Sequence, residues 1–112
     1  MSMGSAMLIQ AEQLPWEPAG RGLRRKLLGY DPELMMVRVE FASGAIGTAH
    51  SHPHRQVTFI ERGNFEVTIG KETMPLTAGD SFFVPPNVPH GVIALSEGCL
   101  IDVFTPVRQD FL

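Results

Sequence analysis

The sequence predicts an all-β protein, a small antiparallel barrel or sandwich. Two observations carry the prediction. Apolar and polar residues alternate at period two in several windows, and no window sustains the i, i+3, i+4, i+7 apolar pattern of a helix. The chain of 112 residues also carries 11 Gly and 9 Pro, spread so evenly that few long helices fit between them. At 44% hydrophobic and 19% charged, it has the apolar content for one real core and is no disordered tail.

Met1 to Met7 is small and polar, lacks a basic segment followed by an apolar stretch, and does not read as a secretory signal. The expected organisation is a flexible N-terminal segment over 1–15 and a single domain over 16–112. Arg24-Arg25-Lys26 is the one basic cluster and reads as a solvated face. Met35, Val37, Val39 and Phe41 alternate with Met36, Arg38, Glu40 and Ala42, which predicts a strand with one buried face. Phe65, Val67 and Ile69 predict another. Arg62-Gly63-Asn64 and Gly70-Lys71 read as hairpin turns, because Gly and Asn tolerate positive φ. Ala78-Gly79-Asp80 and Ser96-Glu97-Gly98 mark further turns, and Pro85-Pro86-Asn87-Val88-Pro89 is a rigid irregular loop. Turns at this spacing imply roughly eight or nine short strands.

Net charge is −3, with 9 Lys+Arg against 12 Asp+Glu, and this argues against nucleic acid as the main partner. No apolar run approaches the ~18 residues needed to span a bilayer. The single cysteine, Cys99, lies in an apolar stretch and reads as a small buried hydrophobe rather than a nucleophile. A lone thiol fits a reducing compartment, so the expected location is cytoplasmic.

Three of the 4 histidines fall in His50-Ser51-His52-Pro53-His54. On a strand, His50 and His52 share a face, and two imidazoles so placed can converge on one metal ion. His54, between Pro53 and Arg55, is expected to face solvent; if functional, it would support a ligand or touch substrate. Asp102 is a lone carboxylate in the apolar run Leu100 to Phe104. It is either an outward charge on an edge strand or a general acid/base tuned by burial. Arg108, six residues on, is either a surface arginine or a bidentate partner for a carboxylate.

The spacing adds a resemblance. Gly44, His50, His52, Gln56 and Gly63 fit G-x5-H-x-H-x3-(E/Q)-x6-G, and Gly79, Pro85 and His90 fit G-x5-P-x4-H. These look like the two motifs of the cupin superfamily. The resemblance implies a small double-stranded antiparallel β-barrel of jelly-roll type with a metal in its lumen, and His50, His52, Gln56 and His90 as ligands to one divalent transition metal ion (Zn, Ni, Fe or Mn). Gln56 stands where Glu is usual, Asn87 where Gly is usual, and Ala94 where a later Asn is usual. Four neutral ligands leave the ion its full charge, a poor match to the two-His-one-carboxylate iron site of oxygenases.

From Trp16-Glu17-Pro18 through His50-Ser51-His52-Pro53-His54-Arg55-Gln56 to Asp102-Val103-Phe104-Thr105-Pro106-Val107-Arg108-Gln109-Asp110-Phe111-Leu112, the chain resembles the pectin-degradation cupin family KdgF. That resemblance implies a metal-dependent enzyme of uronate catabolism, which converts 4,5-unsaturated monouronates to linear keto forms. Asp102 would move the proton, Arg108 would pair with the uronate carboxylate, and Phe104 would pack on the sugar. By the same analogy the chain forms a homodimer. The competing expectations are a dioxygenase or isomerase on another small molecule, and a non-catalytic metal- or sugar-binding module.

Overall fold

The computed structural model describes residues 4–112. Ten strands run in chain order: β1 (Glu17–Gly20), β2 (Leu23–Asp31), β3 (Leu34–Phe41), β4 (Ile46–His50), β5 (Arg55–Arg62), β6 (Asn64–Ile69), β7 (Glu72–Thr77), β8 (Ser81–Val84), β9 (His90–Ala94) and β10 (Gly98–Thr105). They form a six-stranded sheet, β1-β2-β3-β10-β5-β8, and a four-stranded sheet, β4-β9-β6-β7. Every pairing is antiparallel. The expected all-β jelly roll is therefore present, with slightly more strands than turn spacing implies. Two of them, β1 and β7, contain Pro18 and Pro75. Both lie at sheet edges, where a missing N–H need not break a ladder.

Period two decides which side chains enter the core. Met35, Val37, Val39 and Phe41 of β3 are buried as the alternation predicts, and Phe65 and Val67 of β6 meet them from the facing sheet. Phe41 and Phe65 pack edge to face with centroids 5.2 Å apart. Ahead of β1, the chain touches the larger sheet at Ser5 and Ala11, while Met7 and Leu8 between them are exposed. The Ser5 N–H donates to the Tyr30 carbonyl at 2.8 Å, and Lys26 Nζ donates to the Ala11 carbonyl at 2.8 Å. Residues 1–3, part of the segment expected to be flexible, lie outside the described residues.

The glycine turns divide into two kinds. Gly70 closes a true hairpin, since Ile69 pairs with Glu72. Gly63 does not: β5 and β6, on either side of it, belong to different sheets. It is a corner between layers, as are the turns at Gly79 and before Gly98. Local sequence reports that a turn is needed there but not whether the next strand pairs or crosses.

Gly98 shows how tight such a corner is. A Cβ there would lie 2.6 Å from the Arg62 carbonyl oxygen and 2.8 Å from the Phe65 ring. Neither backbone nor a buried aromatic yields easily. Gly98→Ala is expected to cost roughly 1–3 kcal/mol. Thermal denaturation should register it as a midpoint lowered by about 4–8 °C per kcal/mol.

Candidate metal centre

Both sheets contribute to one end of the core. His50 ends β4 and pairs in register with His90, the first residue of β9. His52 lies beyond the end of β4, not on it, so strand alternation is not what aims it. The backbone turns after His50, and the Asn87 N–H donates to the His52 carbonyl at 2.7 Å, tying the two histidine loops together. Asn87 has φ 65°, a left-handed conformation that Asn adopts more readily than most residues other than Gly. Its place in a position usually held by Gly is thereby explained.

The three rings come together. Centroid separations are 5.4 Å for His50–His52, 4.5 Å for His50–His90 and 4.8 Å for His52–His90. One ring nitrogen from each lies within 4.8 Å of the others. The proton positions follow from the backbone. Nδ1 of His50, His52 and His90 faces the carbonyls of Thr48, His54 and Val88 at 2.9, 3.2 and 2.9 Å. A nitrogen facing a carbonyl carries the hydrogen, so in His50 and His90 Nδ1 donates and Nε2 keeps its lone pair. Burial, the largest cause, lowers the pKa of His52 and His90 and favours these neutral forms.

Gln56 completes the set. Its Nε2 donates to Thr58 Oγ1 at 2.9 Å, which leaves Oε1 facing His52 Nε2 at 3.0 Å. His52 thus faces a carbonyl oxygen at each ring nitrogen; with its hydrogen on Nδ1, Nε2 and Gln56 Oε1 are two lone-pair donors side by side, a pair that a cation would hold. His90 Nε2 is buried with no hydrogen-bond partner among the described residues. The donor set therefore fits a divalent transition ion held by three imidazoles and one amide.

Asp102 sits beside this cluster. It is not on an edge: β10 runs between β3 and β5, and Asp102 stands opposite Val37 and Thr58 on the inner face. Thr58, wholly buried, donates to Asp102 Oδ1 at 2.6 Å. Burial pushes the Asp102 carboxyl up to about 6, against the opposing pull of the Thr58 hydroxyl and the Arg108 charge. Thr58 escaped sequence reading, although Gln56 and Thr58 put two polar side chains on the inward face of β5.

A cavity of about 800 Å³ opens over the cluster, lined among others by His50, Gln56, His90, Asp102, Phe104 and Arg108. Phe104 is buried and meets His52 edge-on at 5.8 Å. Arg108 is not a surface arginine; its side chain is only 12% exposed. Its Nε and Nη2 donate to both carboxylate oxygens of Asp110 at 3.0 and 2.8 Å. His54 departs from expectation. It is half-buried, and its Nε2 donates to the Val107 carbonyl at 3.1 Å, so it anchors the C-terminal segment that carries Arg108. Cys99 is fully buried, and burial pushes its thiol up to about 11, so it is inert as a nucleophile. Among the described residues no helix is long and apolar enough to cross a membrane.

Two antiparallel sheets closing over inward imidazoles define a cupin, and residues 37–104 match the family model described as a cupin domain. The chain belongs to the cupin family. Within it, the chain is 47% identical over 103 residues to the pectin degradation protein KdgF of Dickeya dadantii strain 3937, covering 90% of this chain and 94% of that one. The crystal structure of an RmlC-like cupin from Shewanella frigidimarina superposes with a TM-score of 0.95 at 45% identity, covering 97% of this chain and 98% of that one. The structure of KdgF from a Halomonas species superposes at 0.91 and 35% identity, covering 96% of this chain and all (100%) of that one.

Proposed function

We propose that this cupin is a metal-dependent enzyme that converts a 4,5-unsaturated monouronate to its linear keto form. The observation that carries the reading is the pairing of a lone inward carboxylate, Asp102, with His50, Gln56 and His90 in the lining of one cavity, the two histidines grouped with His52. A binding module has no need of a poised carboxylate there. The kinship with KdgF supplies the substrate class.

The proposed holders of the ion are His50, His52, Gln56 and His90. A divalent ion in this uncharged cage would supply Lewis-acid stabilisation of negative charge. Zinc, nickel, iron, copper and manganese all suit imidazole ligands. Opening the hemiacetal ring takes a proton from the anomeric hydroxyl as the bond between the anomeric carbon and the ring oxygen breaks, leaving an aldehyde and an enolate on the former ring oxygen, and returning the proton to the neighbouring alkene carbon gives the ketone. The change is an isomerisation that needs no co-reactant. Asp102 takes the proton from the hydroxyl and returns it to carbon. Arg108 uses the edge of its guanidinium not given to Asp110 to pair with the substrate carboxylate, and Phe104 packs on the sugar. The test is lyase-generated unsaturated uronate added to metal-loaded protein, with loss of the C=C ultraviolet absorbance as readout. Acceleration well above the spontaneous rate is expected; none would favour another small-molecule activity.

The same reading takes 16–112 as one domain, the location as cytoplasmic, and the assembly as a homodimer. The outer face of the larger sheet supports the dimer. Met36 and Val57 both stand opposite Val103, Phe83 stands opposite Val57, and Phe59 stands opposite Ile101. Met36, Val57, Phe59 and Phe83 are 40–55% exposed, an apolar patch suited to a second copy. Phe59→Glu is expected to convert the dimer to monomer in sedimentation velocity. An unchanged sedimentation coefficient would remove this face from the interface.

A further inference from the structure

Arg25 belongs to the basic triplet that reads as a solvated face, yet it alone of the three lines the cavity. The register explains why. Arg25 stands opposite Val39 on β3, and Val39 stands opposite Leu100 on β10. Val39 and Leu100 are buried, so Arg25 shares their inward face. Its neighbours are engaged elsewhere: Arg24 Nε donates to Glu40 at 2.8 Å, and Lys26 donates to the Ala11 carbonyl.

The Arg25 side chain is 19% exposed, and its Nε is buried with no hydrogen-bond partner among the described residues. The nearest carboxylate, on Glu17, lies 3.9 Å from Nε, beyond hydrogen-bond distance. Its Cζ rests 3.9 Å from the Phe111 ring centroid, and Arg108 Cζ rests 4.4 Å from the same centroid. Two guanidiniums are thus gathered on one aromatic ring at the mouth of one cavity. They differ in one respect: Arg108 has a bidentate carboxylate partner in Asp110, and Arg25 has none. A guanidinium whose Nε–H is buried and idle is costly unless an acceptor reaches it.

We propose that Arg25 is a carboxylate-binding residue of this cavity, gripping the substrate's carboxylate together with Arg108. The inference rests on the sugar-acid reading above and adds a residue to it. Arg25 lies two strands across and two residues along from Asp102, about 12 Å at ~4.8 Å per strand and ~3.4 Å per residue, so it binds the substrate away from the proton-transfer residue. Its loss should weaken binding more than it slows chemistry.

The test uses metal-loaded wild type, Arg25→Gln, Arg25→Lys and, as control, Arg24→Gln. Calorimetric titration with D-galacturonate and with its neutral methyl ester reads binding without turnover. Arg25→Gln should weaken galacturonate binding about 10- to 30-fold and ester binding less than about twofold. Arg25→Lys, which keeps the charge but loses the fork, should fall between wild type and Gln. Arg24→Gln should match wild type. With the unsaturated monouronate, Arg25→Gln should raise KM by a similar factor while kcat stays within about threefold.

Galacturonate affinity within twofold of wild type in Arg25→Gln overturns the proposal, as does an equal loss for acid and ester. If wild type fails to turn over the unsaturated uronate but the acid-specific loss persists, the enzymatic reading falls and Arg25 stands. If wild type turns over and Arg25→Gln is unaffected, Arg25 falls alone. If wild type neither binds galacturonate nor turns over the unsaturated uronate, both fall; if it turns over without binding galacturonate, an unchanged KM in Arg25→Gln overturns the proposal and a raised one supports it. Should the Arg25 variants not fold, the arginine Nε–H resonances of wild type decide: a shift of the Arg25 signal on adding galacturonate supports the proposal, and its absence overturns it.

Discussion

Replacing His90 with alanine is expected to strip the protein of its metal, lowering affinity by more than about 100-fold. That figure sets the floor, because removing only the outer partners of metal ligands already costs 10- to 100-fold. His90 supplies the buried Nε2 that has no other partner, so nothing replaces it. The substitution also leaves the Val88 carbonyl without its Nδ1–H donor, a cost of about 1–3 kcal/mol in its own right. His50→Ala separates the two effects. His50 is exposed, so its loss should leave the apo fold nearly untouched while releasing the ion as His90→Ala does. Elemental analysis after dialysis gives the metal content. Thermal melts with and without a chelator give the linkage: a ligand bound only to the folded state raises the midpoint, so chelation should lower it for wild type and not for either variant. Unchanged metal content in both variants would mean that the imidazoles do not hold the ion.

Much of this centre was legible in the sequence because motif spacing encodes loop lengths. Gly44, Gly63 and Gly79 mark where the chain must turn, and the intervals between them deliver His50, Gln56 and His90 to one end of the core. What escaped had a common cause. His52 is aimed by a bend and by its bond to the His54 carbonyl, not by strand period. The turn at Gly63 looks local but joins different sheets, and layer membership is a property of the whole fold. Arg25 was misread because three adjacent cations look alike in sequence, while a strand sends the middle one to the opposite face from its neighbours. Thr58 and His54 matter only through partners 44 and 53 residues away in sequence, which no local pattern reports.

Asp102→Asn is expected to keep fold and metal and to lose about 10²- to 10⁴-fold in turnover. Asn is nearly isosteric with Asp, and its amide oxygen still accepts the Thr58 hydroxyl now 2.6 Å from Oδ1. Gln56, at 3.4 Å, makes only a long contact with Asp102, so its Oε1 should stay directed at the histidines. What the amide cannot do is take and return a proton. A group for that task works best with a pKa near the working pH, and burial already lifts Asp102 to about 6. The two ways of failing differ in what they measure. If Asp102 only braced Gln56, the Asn variant would lose metal in step with activity, and added metal would restore both. If Asp102 carries the proton, metal content stays at the wild-type level and added metal restores nothing. Retained turnover in a metal-replete variant would remove Asp102 from the chemistry and leave the cavity as a binding site alone.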